Sequence, residues 1–145
     1  IIYIHANIAM DDKFPYLAMI PQRSFQDEMK IILSSISFSQ FDNLFIILFG
    51  SVAKGNAQRK SDIDLLFIKK SWSQKDQNSI LKELAEAAIH CKHQVKPLFK
   101  TKDEIKTLNK EFKKEIYTHS IILYVKGNIW KGLMKKMKRY KSIPS

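Results

Sequence analysis

Residues 44–68, LFIILFGSVAKGNAQRKSDIDLLFI, constrain this chain more than any other stretch. An apolar run over residues 44–49 stops at Gly50-Ser51, ten mostly polar residues follow, and Asp62-Ile63-Asp64 opens a second apolar run over residues 65–68. Apolar runs of this length suit strands covered on both faces, so a polar site is expected between two buried strands. Gly50 lacks a Cβ, which lets the backbone approach a ligand closely and lets the N–H groups after it point at an anion. Ser51 adds a hydroxyl donor. Asp62 and Asp64 stand two apart, and the strand period places both carboxylates on one face with Ile63 and Leu65 on the other. Two acids on one face invite a divalent cation. Taken singly, these residues read equally well as turn and cap residues. Together they require an anion-friendly turn, a fixed spacer and an in-phase acid pair, which turn chemistry alone does not explain.

The pattern Gly50-Ser51, ten residues, Asp62-Ile63-Asp64 resembles the signature of the DNA polymerase β-type nucleotidyltransferase superfamily. The chain is similar to the minimal, stand-alone members of that superfamily, strongly over residues 44–68 and more weakly to residue 127. The resemblance implies an α/β (α+β) fold with a small mixed sheet of about four strands flanked by helices. It implies that Gly50 and Ser51 bind the triphosphate of a nucleotide. It also implies that Asp62 and Asp64 ligate Mg²⁺ (or Mn²⁺) ions, which activate an attacking hydroxyl and the leaving pyrophosphate. The expected activity is transfer of a nucleoside monophosphate, AMP from ATP in the first instance, to a hydroxyl of a protein or small-molecule acceptor. Likeness to members paired with HEPN-type toxins implies an antitoxin whose acceptor is a tyrosine of the partner protein. A short helix starting at Ser51 would aim its amino-terminal dipole at a bound phosphate. Lys54 would reach the same phosphates from that helix or else be solvated; Arg59 and Lys60 read as a solvated loop.

The third strand, expected over residues 94–99, departs from the family pattern. Active members commonly place a third acid there, beside the Asp pair. Strand parity puts Gln94, Lys96 and Leu98 on one face, so Lys96 takes the acid's place. Exchanging a carboxylate for an ammonium shifts the local charge by two units and weakens divalent-ion binding at short range. This feature supports an alternative function, a catalytically weak or inactive module that binds nucleotide, nucleic acid or a partner protein. Pro97 argues that this strand lies near a sheet edge or leaves the ladder early. Asp103 and Glu104 do not replace the missing acid, because Thr101 and Glu104 read as the capping box of the next helix.

A chain of 145 residues with 45% apolar residues suffices for one core. The single Cys91 excludes an intramolecular disulfide, no run is long enough to cross a bilayer, and a cytoplasmic location is the default expectation. The net charge of +11 favours encounter with polyanions, nucleic acid included, or simply solvates the surface. Helical periodicity predicts helices over 24–36 (N-cap Ser24), 77–91 and 102–116, the second with Ile80, Leu81, Leu84, Ala85, Ala88 and Ile89 as its apolar face. A fourth strand is expected over 120–125. Trp72 suits base stacking or packing. His90, Cys91 and His93 offer three ligands where zinc wants four, and read instead as helix-end residues. Three regions follow: an arm (1–23), either a remnant of an upstream domain with faint likeness to a winged-helix linker or a simple disordered or packing arm; a nucleotidyltransferase domain (24–128); and a basic amphipathic helix (129–145). The last docks on the core or offers its lysines to RNA, a partner helix or a membrane surface.

Overall fold

The computed structural model describes residues 14–137. Its centre is the antiparallel pair Phe45–Phe49 (β1) and Ile63–Lys69 (β2), joined by the short helix Gly50–Lys54 (α2) and the spacer loop. Before them lies the helix Arg23–Ser34 (α1), and after them Gln74–Ala88 (α3), Val95–Thr101 (β3), Lys102–Lys106 (α4), Lys110–His119 (α5), Ile121–Val125 (β4) and Lys131–Lys136 (α6). The four strands form one mixed sheet in the order β3-β2-β1-β4, with β2 and β3 parallel and the other pairs antiparallel. A parallel neighbour needs a crossover, and α3 supplies it. Pro97 lies in β3, an edge strand, where a missing N–H is tolerated.

Strand parity divides the apolar residues between two cores. Ile46, Leu48, Leu65 and Phe67 face α1 and α3 and meet Phe25, Met29, Ile32, Ile80 and Leu84. Phe45, Ile47, Leu66 and Ile68 face the other way, onto Ile105, Ile116, Trp130 and Met137. Both faces of the central pair are therefore dry, which explains why the two strands read as unbroken apolar runs. Phe14, Leu17 and Ile20, from the stretch assigned to the arm, are buried in the first core. Trp130 is fully buried in the second, edge-on to Phe45 at 5.3 Å, with its ring N–H donating to the Lys126 carbonyl at 3.0 Å.

Several helix limits differ from the sequence-based expectation. The first helix starts at Arg23, and Ser24 is not its cap; Gln22 precedes it and makes no cap bond. The Gln22 side-chain amide instead accepts from Ala57 N at 3.2 Å and donates to Ala57 O at 3.0 Å, tying the spacer loop to α1. The third helix begins three residues early because Ser73 Oγ accepts from Asp76 N at 3.0 Å, and it stops at Ala88. Leu81, Ala85, Ala88 and Ile89, expected on its apolar face, are exposed, and the buried residues are Ile80, Leu84 and Ala87. The helix expected over 102–116 is two helices, because Asn109 Oδ1 accepts from Phe112 N at 2.8 Å and caps a new one. The Thr101–Glu104 capping box is present. In the last stretch the helix runs from Lys131 to Lys136, Met137 is extended, and the rest of the expected basic helix, Lys138, Arg139 and Tyr140 included, lies outside the described residues, as does the start of the arm.

Trp130→Ala removes the largest fully buried side chain of the second core. It is expected to lower unfolding free energy by about 3–5 kcal/mol in urea titration, the range for deleting a buried aromatic.

Candidate functional site

The apolar ladder ends in a polar row. On the face that carries Phe45 and Ile47, the last residue of β1 is Phe49, paired with Asp64, and Asp64 pairs in turn with Lys96 of β3. Residues opposite one another across a ladder share a face, so Asp64 and Lys96 stand side by side where the second core stops. Phe49 is held from above by Phe112 of α5, with ring centroids 5.2 Å apart.

Directly after Phe49 the chain turns through Gly50 at φ +76° into α2. An L-residue rarely adopts this backbone conformation. A second constraint coincides with it: a Cβ on Gly50 would land on Asp64 Oδ2. The space glycine leaves open is thus filled by the carboxylate, so the turn and the acid form one close-packed unit. The first N–H groups of a helix lack acceptors within it, and those of Ser51 and Val52 follow directly on the Gly50 turn. Helix α2 closes on Gly55 at φ +84°, and its Val52 and Ala53 are buried in the first core.

The charges around this unit are interleaved. Asp62, just ahead of β2, pairs with Lys96, Oδ2 to Nζ 3.0 Å, and the Lys96 side chain is 64% exposed. Lys54 Nζ pairs with Glu115 Oε1 of α5 at 2.8 Å. Burial pushes the Asp64 carboxyl above its ordinary range; the Lys96 charge opposes that, and Asp62 and Glu115 reinforce it. The Asp62 hydrogen bond, and then its charge, hold the Lys96 ammonium above the usual lysine value. Among the described residues, no three acidic, histidine or cysteine side chains converge closely enough to hold a metal ion by themselves. A divalent ion at the Asp pair would therefore need further oxygens, such as those of a triphosphate, and with those the donor set fits a hard cation.

The residues singled out in the sequence meet here: Gly50, Ser51, Asp62, Asp64 and Lys96 share one end of the sheet, and Lys54 lies in the same helix as Ser51, turned to Glu115. Glu115 was missed. It lies in the run KEFKKE, where its charge reads as a solvated helix face, and only the docking of α5 on α2 brings it to Lys54. Trp72 does not join them. It follows the far end of β2, where its ring N–H donates to Lys100 O at 2.8 Å and its ring meets Phe99 edge-on at 4.9 Å, so packing is its role. His93 is engaged by Glu28, Nδ1 to Oε2 2.5 Å, and lies against Phe25.

Residues 33–128 match the family model described as Polymerase beta, Nucleotidyltransferase, and the chain belongs to that family. Two solved structures resemble it at low identity. One is a toxin–antitoxin with AMP-PNP, at 18% identity and a TM-score of 0.48, the match covering 79% of this chain and 86% of that one. The other is a mutant of the toxin–antitoxin MntA-HpeT, at 17% identity and 0.47, covering 79% and 85%. A search of curated proteins found no match.

Two stability measurements probe the unit. Gly50→Ala is expected to destabilise by about 1–3 kcal/mol through backbone strain alone, with a further loss from displacing Asp64. In a double-mutant cycle that further loss should disappear when Asp64→Ala is already present. The second measurement uses the raised Asp64 pKa. The folded state binds this proton more tightly than the unfolded state, so the group favours folding at low pH and that contribution is lost as pH rises through the folded value. Asp64→Asn is therefore expected to raise the thermal midpoint of the ligand-free protein at pH 7, and the gain should shrink as pH falls below the carboxylate range.

Proposed function

We propose that this protein transfers a nucleoside monophosphate, AMP from ATP, to a hydroxyl of a second molecule and releases pyrophosphate. The observation that carries the reading is the contact between the Gly50 turn and the Asp64 carboxylate, which makes an anion-binding turn and an acid pair parts of one site. Ser51 Oγ and the N–H groups opening α2 hold the triphosphate, with Lys54 available to it by exchanging Glu115 for a phosphate oxygen. Asp62 and Asp64 are the carboxylates that would hold Mg²⁺ (or Mn²⁺), which supplies Lewis-acid charge for an in-line displacement. The Lys96–Asp62 pair takes one Asp62 oxygen, is screened by solvent and leaves the carboxylates within reach of a divalent ion. Placing the α-phosphorus beside the acid pair lines it up with an incoming hydroxyl, and orientation of this kind supplies much of the rate in phosphoryl chemistry.

The acceptor in this reading is a tyrosine of a HEPN-type partner, with the protein acting as the antitoxin of a cytoplasmic pair. Among the described residues no helix is long and apolar enough to cross a membrane. A second reading rests on Lys96: an ammonium where a third acid would assist the incoming hydroxyl favours a module that binds nucleotide, nucleic acid or a partner protein without turnover. Incubation with ATP labelled at the α-phosphate and Mg²⁺, with the candidate acceptor protein present, separates the two. Label transfer is expected, falling to background in the Asp62→Ala, Asp64→Ala double variant. Nucleotide-dependent thermal stabilisation with no transfer to any acceptor would establish the binding module instead.

A further inference from the structure

We propose that Lys96 is a resident cation of the acid site, standing where one of the divalent ions of the reaction would otherwise lie, so that the complex with a nucleoside triphosphate takes one divalent ion and not two. The inference rests on the nucleotide site just described and concerns its metal content. It begins with position. Lys96 lies directly opposite Asp64 in the parallel β2–β3 ladder and bonds Asp62 at 3.0 Å, so one ammonium addresses both carboxylates.

The charge count points the same way. Asp62 and Asp64 bring two negative charges, and Lys96 returns one positive charge. Lys54 and Glu115, 2.8 Å apart, cancel each other and add no net charge to the site whether or not Lys54 turns to a phosphate. A residual single negative charge, together with the triphosphate, suits one divalent ion. Two divalent ions about 3.5–4 Å apart need bridging carboxylates that keep both metals close. Here Asp62 already spends an oxygen on Lys96, and no third acid converges on the pair among the described residues. A unit positive charge within a few ångströms also repels a second divalent ion directly. The exposed lysine stem lets the ammonium stay at the pair while the first ion binds.

The test counts ions. The whole chain is loaded with AMP-PNP and titrated with Mn²⁺, and bound ions are counted by electron paramagnetic resonance of the free ion and by calorimetry. The expected result is one Mn²⁺ per wild-type complex and two for Lys96→Glu, which removes the ammonium and supplies a third carboxylate. Two ions in the wild type, or a folded, nucleotide-binding Lys96→Glu that still takes one, would overturn the proposal and leave the nucleotide site standing. If AMP-PNP does not bind with Mn²⁺ at all, the nucleotide site itself fails, and the proposal with it. If Lys96→Glu does not fold, Lys96→Gln decides: loss of the repelling charge should tighten the first Mn²⁺ by about tenfold, and an unchanged affinity overturns the assignment.

Discussion

The contact on which this structure turns is the one between a missing side chain and a carboxylate. Gly50 holds a backbone conformation that other residues avoid, and the volume its absent Cβ vacates is occupied by Asp64 Oδ2. Each half explains the other. The carboxylate stays half-buried at a strand start because the turn closes over it, and the turn stays tight because nothing but an oxygen has to fit beneath it. The cost appears in the raised Asp64 pKa, since burial penalises the charged form that a cation would use. Local strain and poor solvation kept at a site by a well-packed surround are a common arrangement where a ligand will later supply the missing charge.

That surround is the two-sided core. Side chains of the central strands alternate between the α1–α3 layer and the α4–α6 layer, so β1 and β2 are clamped from both faces up to the Phe49–Asp64 row. Beyond it the apolar supply ends and charges take over in pairs, Asp62 with Lys96 and Lys54 with Glu115. Each pair joins one residue close to the signature turn or acid pair to one from β3 or α5. The charges of the site are therefore paired between elements that the dry core has already positioned.

Much of this was legible in the sequence because it depends on short-range pattern. Continuous apolar runs marked β1 and β2, period-two parity placed Lys96 on the face of Asp64, and Thr101 with Glu104 announced a helix start. The family followed from Gly50-Ser51 and the acid pair, and the match over residues 33–128 agrees. What was not legible depends on partners distant in the chain. Gln22 precedes α1 but spends its amide on Ala57, a bond spanning 35 positions, so no local rule marks that start. Glu115 looks like surface until α5 is docked. The break at Asn109 is different in kind: the apolar stripe of Leu108, Phe112 and Ile116 runs on across it, so periodicity alone shows one helix.

The buried Glu28 carboxylate has a mechanical meaning. It accepts from the backbone of Lys92 and His93 at 2.8 and 3.0 Å and engages the His93 ring, riveting α1 to the turn that feeds β3. Lys96 follows three positions later. Helix α1 thus fixes where β3 begins, and with it the ladder position from which the Lys96 stem reaches Asp62.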